Sequence, residues 1–228
     1  MDRLFFNLIM AAVALMPLQL LAQGESASLQ PKTDKHGFYS VVDCPTSLSF
    51  IKAATEEQDD GSYNVNIYRG KELSQTFNLD VTSGDLYYLD ANFDGSMDIL
   101  VGPAASRNYS TILLWDDKKG EFIPMEGSVL NGNMLVNPSK KILVSQGSGS
   151  YCSEYYTIYK WKGNKLITSE TLVEITDSKA YKEYGVKRHY TVVKGDNLDK
   201  IATNKKLETN KKSKLPTEWR NILSAFGM

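Results

Sequence analysis

From Gly37 to about Ile175 the chain is written in short apolar runs rather than long periodic ones. Tyr63–Tyr68, Ser110–Trp115, Lys141–Val144 and Tyr155–Trp161 are rich in β-branched and aromatic residues, and Gly, Asn or Asp punctuates them. Such residues fit a pleated surface, and the punctuating residues supply turns, so the pattern predicts antiparallel strands. No 3.6-residue period competes over this region.

Three runs share a plan of a strand ending in an aromatic residue, a short turn containing Gly, and a returning apolar residue. They are Ile67–Leu73, Leu114–Phe122 and Lys160–Leu166. Their aromatics Tyr68, Trp115 and Trp161 stand 47 and 46 residues apart, and the tracts Asp98–Val101 and Lys141–Val144 repeat at 43. That period is the length of a propeller blade, while about three units are too few to close a ring. The expectation is therefore a mainly β protein with a partial-propeller-like antiparallel domain over 37–176. A plain stack of hairpins is the alternative. Tyr151, Tyr155, Tyr159 and Trp161 would share one face of a strand, as sheet core in preference to a stacking platform.

Beyond 187 the pattern changes. Tyr190–Lys194 alternates, Gly195-Asp196 makes a turn, and Leu198, Ile201 and Ala202 would share a helix face that Asp196 or Asn197 caps. Pro216-Thr217-Glu218 then opens a helix with Trp219, Ile222, Leu223 and Phe226 on one side. At the other end, Leu4–Leu21 is apolar apart from Asn7, Pro17 and Gln19, and Ala22 precedes a polar stretch. This reads as a signal peptide cleaved after Ala22, with an uncleaved anchor as the alternative. The organisation expected is a signal peptide over 1–22, a linker over 23–36, the β domain over 37–176, a linker over 177–187 and a small α+β segment over 188–228. The location is the periplasm or the cell exterior.

Charge sharpens this division. The 228 residues sum to −1, but residues 23–186 carry fifteen Lys or Arg against twenty-two Asp or Glu, and residues 187–228 carry ten against four. Near-neutrality is thus cancellation between an acidic domain and a basic tail, and it argues against a protein that coats nucleic acid. Export would let Cys44 and Cys152 form a disulfide, closing 108 positions of sequence and adding on the order of 4–5 kcal/mol by loop entropy. Two separate buried thiols are the other arrangement.

The sharpest chemical signal is Asp90-Ala91-Asn92-Phe93-Asp94-Gly95-Ser96-Met97-Asp98, with oxygen-bearing side chains at its first, third, fifth and ninth positions and Gly at its sixth. Hard Ca²⁺ takes six to eight oxygens, and alternate residues of a tight loop can aim theirs inward. An EF-hand would need Glu where Val101 stands, and flanking helices; here a strand follows. A metal-free Asp/Gly turn is the other reading of the same residues. The loop resembles the calcium loops of integrin-type propeller repeats. The resemblance implies side-chain oxygens from Asp90, Asn92, Asp94 and Asp98, the backbone carbonyl of Ser96, and a structural role for the ion.

Two further resemblances bear on function. The stretch from about Leu86 to Glu174, through this loop, Leu114-Trp115-Asp116, Gly120-Glu121-Phe122 and Tyr159–Leu166, is similar to secreted bacterial calcium-binding partial propellers, some of which are immunity proteins against peptidoglycan hydrolases. Tyr190–Ala202 resembles the opening half of a LysM domain, which binds N-acetylglucosamine-containing glycans such as peptidoglycan. That likeness implies a sugar groove at Gly195, Asp196, Asn197 and Leu198, with Asn197 where the family usually has Thr or Ser; the closing strand of the family has no counterpart before Met228.

No Gly-x-Ser-x-Gly, His-Glu-x-x-His or Walker sequence occurs, and His36 and His189 are the only histidines. Glu56-Glu57 and Asp59-Asp60 read as a solvated turn. The sequence thus leads to a non-enzymatic envelope protein that binds peptidoglycan through its LysM-like end, braced by Ca²⁺. The alternative is an inhibitor or immunity protein that blocks a peptidoglycan hydrolase.

Overall fold

The computed structural model describes residues 30–102, 109–127, 130–150, 153–176, 188–195 and 209–228. Among them the chain forms strands β1 (Tyr39–Ser40), β2 (Lys52–Glu57), β3 (Tyr63–Arg69), β4 (Glu72–Leu79), β5 (Leu86–Leu89), β6 (Asp98–Val101), β7 (Tyr109–Asp116) and β8 (Glu121–Pro124). There follow β9 (Glu126–Gly127), β10 (Leu130–Asn131), β11 (Asn133–Asn137), β12 (Ile142–Ser150), β13 (Ser153–Lys162), β14 (Lys165–Thr176) and β15 (Arg188–Lys194), and then helix α1 (Thr217–Ala225). The protein is mainly β and its sheets are antiparallel apart from the short β9–β14 pairing.

Three sheets are formed among the described residues: β2-β3-β4; β10-β7-β6-β5 with β8 beside β7; and β1-β11-β12-β13-β14-β15 with β9 beside β14. Each of the three repeated hairpins sits in its own sheet. β3–β4, β7–β8 and β13–β14 turn at Gly70, Gly120 and Gly163, whose φ angles of 63°, 66° and 60° are left-handed and cost a residue without Cβ little. The 46- and 47-residue spacing is therefore the distance from one sheet to the next.

The sheets stack face to face because their strands are apolar on both sides. On β7, Ile112 and Leu114 enter one core with Leu100, Val136, Leu143 and Tyr159, while Leu113 and Trp115 enter another with Ile99, Val101, Val65 and Ile67. Alternate residues point to opposite faces, so the five-stranded sheet is covered by the seven-stranded sheet on one side and by the three-stranded sheet on the other. Side-chain hydrogen bonds tie the latter pair: the Gln75 amide donates to the Phe122 carbonyl at 2.9 Å and accepts from the Phe122 N–H at 2.9 Å. Arg69 donates to the Gly120 carbonyl.

Helix α1 closes the outer face of the seven-stranded sheet. Trp219, Ile222 and Leu223 pack with Tyr156, Ile158, Leu172 and Tyr190, and each buried side chain of this size contributes about 1.5–3 kcal/mol. Gly227, at φ 79°, ends the helix, with the Met228 N–H donating to the Leu223 carbonyl at 2.9 Å. Of the expected small α+β segment over 188–228, residues 196–208 lie outside the described ones, and the described parts join the large sheet. Its strand is the edge of the largest sheet, paired with β14 from Glu170–Lys194 to Thr176–Arg188, and its helix shares that sheet's core. Tyr190, Trp219, Ile222 and Leu223 are large apolar side chains, and the face of β13 and β14 needs covering. The expected signal peptide over 1–22 and the linker over 177–187 lie outside the described residues.

Candidate metal loop and C-terminal segment

The loop Asp90–Met97 joins β5 to β6, whose pairing runs from Leu86–Val101 to Leu89–Asp98. A sharp reversal is needed, and Phe93 and Gly95 take left-handed φ angles of 63° and 92°. The short polar side chains hold the turn by accepting backbone N–H groups. Asp90 accepts from Asp94 at 3.0 Å and from Gly95 at 3.1 Å, Asn92 from Asp94 at 3.1 Å, and Asp94 from Ser96 at 2.8 Å. The Asn92 amide donates to Asp94 at 2.8 Å.

Asp98 is built differently from the rest. It is fully buried; one carboxylate oxygen accepts the N–H groups of Ala91 at 2.9 Å and Asn92 at 3.3 Å, and the other accepts that of Trp115 at 2.9 Å. It thereby pins both the loop and the neighbouring strand β7. Burial pushes its carboxyl well above the usual range, against the pull of the Trp115 N–H, and the charges of Asp94 and Asp90 push the same way. Burial also raises Asp90.

Two tryptophans fasten the loop from different sheets. The Trp161 indole of β13 donates to the Ala91 carbonyl at 2.7 Å. The Trp115 indole of β7 donates to Asp117 at 2.8 Å, whose other oxygen accepts from the Ser96 hydroxyl at 3.0 Å. These contacts are invisible in the spacing of Asp90–Asp98; the only sequence signal for them was the repeat that set Trp115 and Trp161 at equivalent hairpin positions.

Of the five expected metal ligands, the structure brings Asp90, Asn92 and Asp94 together in one turn, engages the Ser96 hydroxyl, not its carbonyl, with Asp117, and turns Asp98 to backbone donors. The accumulated negative charge suits a cation, and a carboxylate oxygen that accepts one N–H keeps a lone pair. Yet among the described residues no three Asp, Glu, His or Cys side chains gather as a metal-binding group.

At the C-terminal end the expected strand is present, and Gly195 follows it at φ 68° with its N–H bonded to the Ser169 carbonyl at 3.0 Å; the rest of the expected turn lies outside the described residues. Asp196, Asn197 and Leu198 lie outside the described residues, as do Cys152 and Tyr151. Cys44 is buried and free, its thiol pushed up to about 12 by burial first and by the nearby Asp43 charge second. Of the predicted aromatic face, Tyr159 is core and Trp161 packs against it, as expected of sheet interior, and Tyr155 is half-buried.

A second polar cluster, which sequence reasoning missed, lies under the C-terminal segment. Glu174 is 4% exposed and accepts from Arg188 at 3.3 Å, while its other oxygen and the buried Tyr156 hydroxyl have no hydrogen-bond partner among the described residues. Burial raises the Glu174 carboxyl despite the pull of Arg188, whose side chain is half exposed and screened by solvent. No helix of the described residues is long and apolar enough to cross a membrane.

No family model matches the sequence, and no curated protein matches it. The chain is similar to a solved structure described as "Structure of a Xanthomonas Type IV Secretion System related protein", at 14% identity and a TM-score of 0.44 over 78% of this chain and 96% of that one.

Proposed function

We propose that this is an exported, non-catalytic binding protein of the bacterial envelope whose partner is a peptidoglycan-cleaving enzyme, which it inhibits. The observation that carries this reading is the placement of β15 and α1. The side chains that a LysM module would spend on its own small fold, Tyr190, Trp219, Ile222 and Leu223, are spent on the face of the seven-stranded sheet. The chain then acts as one stacked β body, and its likeness over Leu86–Glu174 to partial-propeller immunity proteins outweighs the LysM likeness. Export rests on the apolar segment Leu4–Leu21 and Ala22.

Calcium enters as a brace. Asp90, Asn92 and Asp94, with the Ser96 carbonyl, would hold it, while Asp98 serves as a staple for backbone donors. The ion would offset the repulsion among these acids and stiffen the β5–β6 connection.

The second reading, binding of peptidoglycan at Gly195–Leu198, draws support from the strand Arg188–Lys194 and the left-handed φ of 68° at Gly195 that follows it. One experiment separates the two. The purified mature chain is assayed for inhibition of a lysozyme-type muramidase and of a peptidoglycan amidase, and is pelleted with insoluble peptidoglycan. Saturable inhibition at equimolar protein without pelleting supports the inhibitor. Pelleting without inhibition supports the glycan binder, and neither effect refutes both.

A further inference from the structure

The geometry points to a second binding site, independent of the function proposed above: a cavity at the junction of the three- and five-stranded sheets that takes a carboxylate-bearing sugar, of the hexuronic acid type. It lies between the approach to β2, the β3–β4 turn and β5, and its volume is about 440 Å³. That is room for about fifteen waters, enough for one sugar ring with part of its hydration, and within the range of small-molecule sites.

The walls come from fixed elements. Lys52 opens β2 directly opposite Tyr68 of β3, and its ammonium lies 5.4 Å from the centre of the Tyr68 ring, which holds the cation at the wall. Tyr88 of β5 is 2% exposed, and its N–H donates to the Pro45 carbonyl at 3.0 Å, tying the loop that precedes β2 to the five-stranded sheet. Burial pushes the Tyr88 hydroxyl up to about 12. Phe50 adds a half-buried ring, and Thr46 and Ser47 add exposed hydroxyls at the rim.

The chemistry of this lining selects the ligand class. Aromatic rings offer flat apolar surface to the C–H face of a pyranose, and hydroxyls exchange hydrogen bonds with its ring substituents. Lys52 is the one charged side chain among the described residues that line the cavity, in a region of the sequence where acids outnumber bases by twenty-two to fifteen. A cation so placed prefers a monoanion. A phosphate dianion is ordinarily met by an arginine fork, and among the described residues no arginine lines this cavity.

The test is NMR titration of the full mature chain with D-glucuronate, D-glucose and acetate. Glucuronate is expected to bind at least about tenfold more tightly than either control, with its largest shifts at the amides of Ser47–Lys52 and Tyr68. Lys52→Gln should lower glucuronate affinity about tenfold, to the level of glucose, and leave the melting temperature unchanged because Lys52 is exposed. Equal binding of glucuronate and acetate, equal binding of glucuronate and glucose, shifts confined to other residues, or full affinity in Lys52→Gln would each overturn the proposal.

Discussion

Replacing Asp98 by Ala removes the side chain that ties backbone N–H groups of the β5–β6 loop and of β7 to one carboxylate. Three backbone N–H groups lose their acceptor. Those of Ala91 and Trp115 sit in residues that are 0% and 7% exposed, so water does not replace it; that of Asn92, half-buried and at 3.3 Å, recovers a water partner. Each buried unpaired donor costs about 1–3 kcal/mol, which puts the gross loss at about 2–6 kcal/mol. Against it stands the relief of no longer burying a carboxylate, the same cost that raises its pKa. The expected net loss is about 3 kcal/mol, a large share of the roughly 5–15 kcal/mol that stabilises a typical domain. Asp98→Asn keeps one acceptor but turns an NH₂ toward one of the N–H groups, so it should cost about 2 kcal/mol. Urea unfolding followed by tryptophan fluorescence measures both. With a slope of about 2 kcal/mol/M the alanine variant's midpoint falls by about 1.5 M. A loss under about 1 kcal/mol in Asp98→Ala would refute the staple.

Trp219→Ala empties the largest side chain of α1 from the outer face of the seven-stranded sheet and breaks its bond to Glu170; a loss of about 3–5 kcal/mol in urea is expected, and a near-neutral result would mean that the helix does not cover that face. Calcium at millimolar concentration should raise the melting temperature of the parent and not that of Asp94→Ala, and an unmoved parent in calorimetry would dispose of the ion. Glu174 supplies a pH dependence. Its carboxyl is raised above the ordinary 4.5 by burial, so the native state keeps a proton that the unfolded chain has lost, and the stability contributed by this group falls as pH climbs from about 4.5 through the native value. The urea midpoint of the parent should therefore decline over that window more steeply than that of Glu174→Gln; equal slopes would contradict the assignment.

Local order was legible where it depends on neighbours in the chain. The runs at 63–68, 110–115, 142–144 and 155–161 are strands because β-branched and aromatic residues favour the pleat whatever lies beyond, while Lys141, expected at the head of its run, sits in the turn before it; the glycines at 70, 120 and 163 mark hairpin turns by their freedom at positive φ. Helix α1 follows from Trp219, Ile222 and Leu223 at helical spacing. The loop Asp90–Asp98 was legible as a turn full of oxygen, but not the division of labour within it. Asp98 reads as one more ligand by position, and only its burial beneath Trp115 and Ala91 makes it an acceptor for backbone donors.

What the sequence by itself determined is thus the mainly β character, the hairpin repeat and the amphipathic end, each set by interactions a few residues long. The tertiary structure alone decided that the repeats stack as separate sheets, that β15 joins the largest of them, and that two tryptophans from different sheets clamp one loop. The physical reason is shared. Strand edges and apolar faces must be covered, any sufficiently apolar segment can cover them, and which one does so depends on the competition among all of them for the same surface rather than on the text of any one.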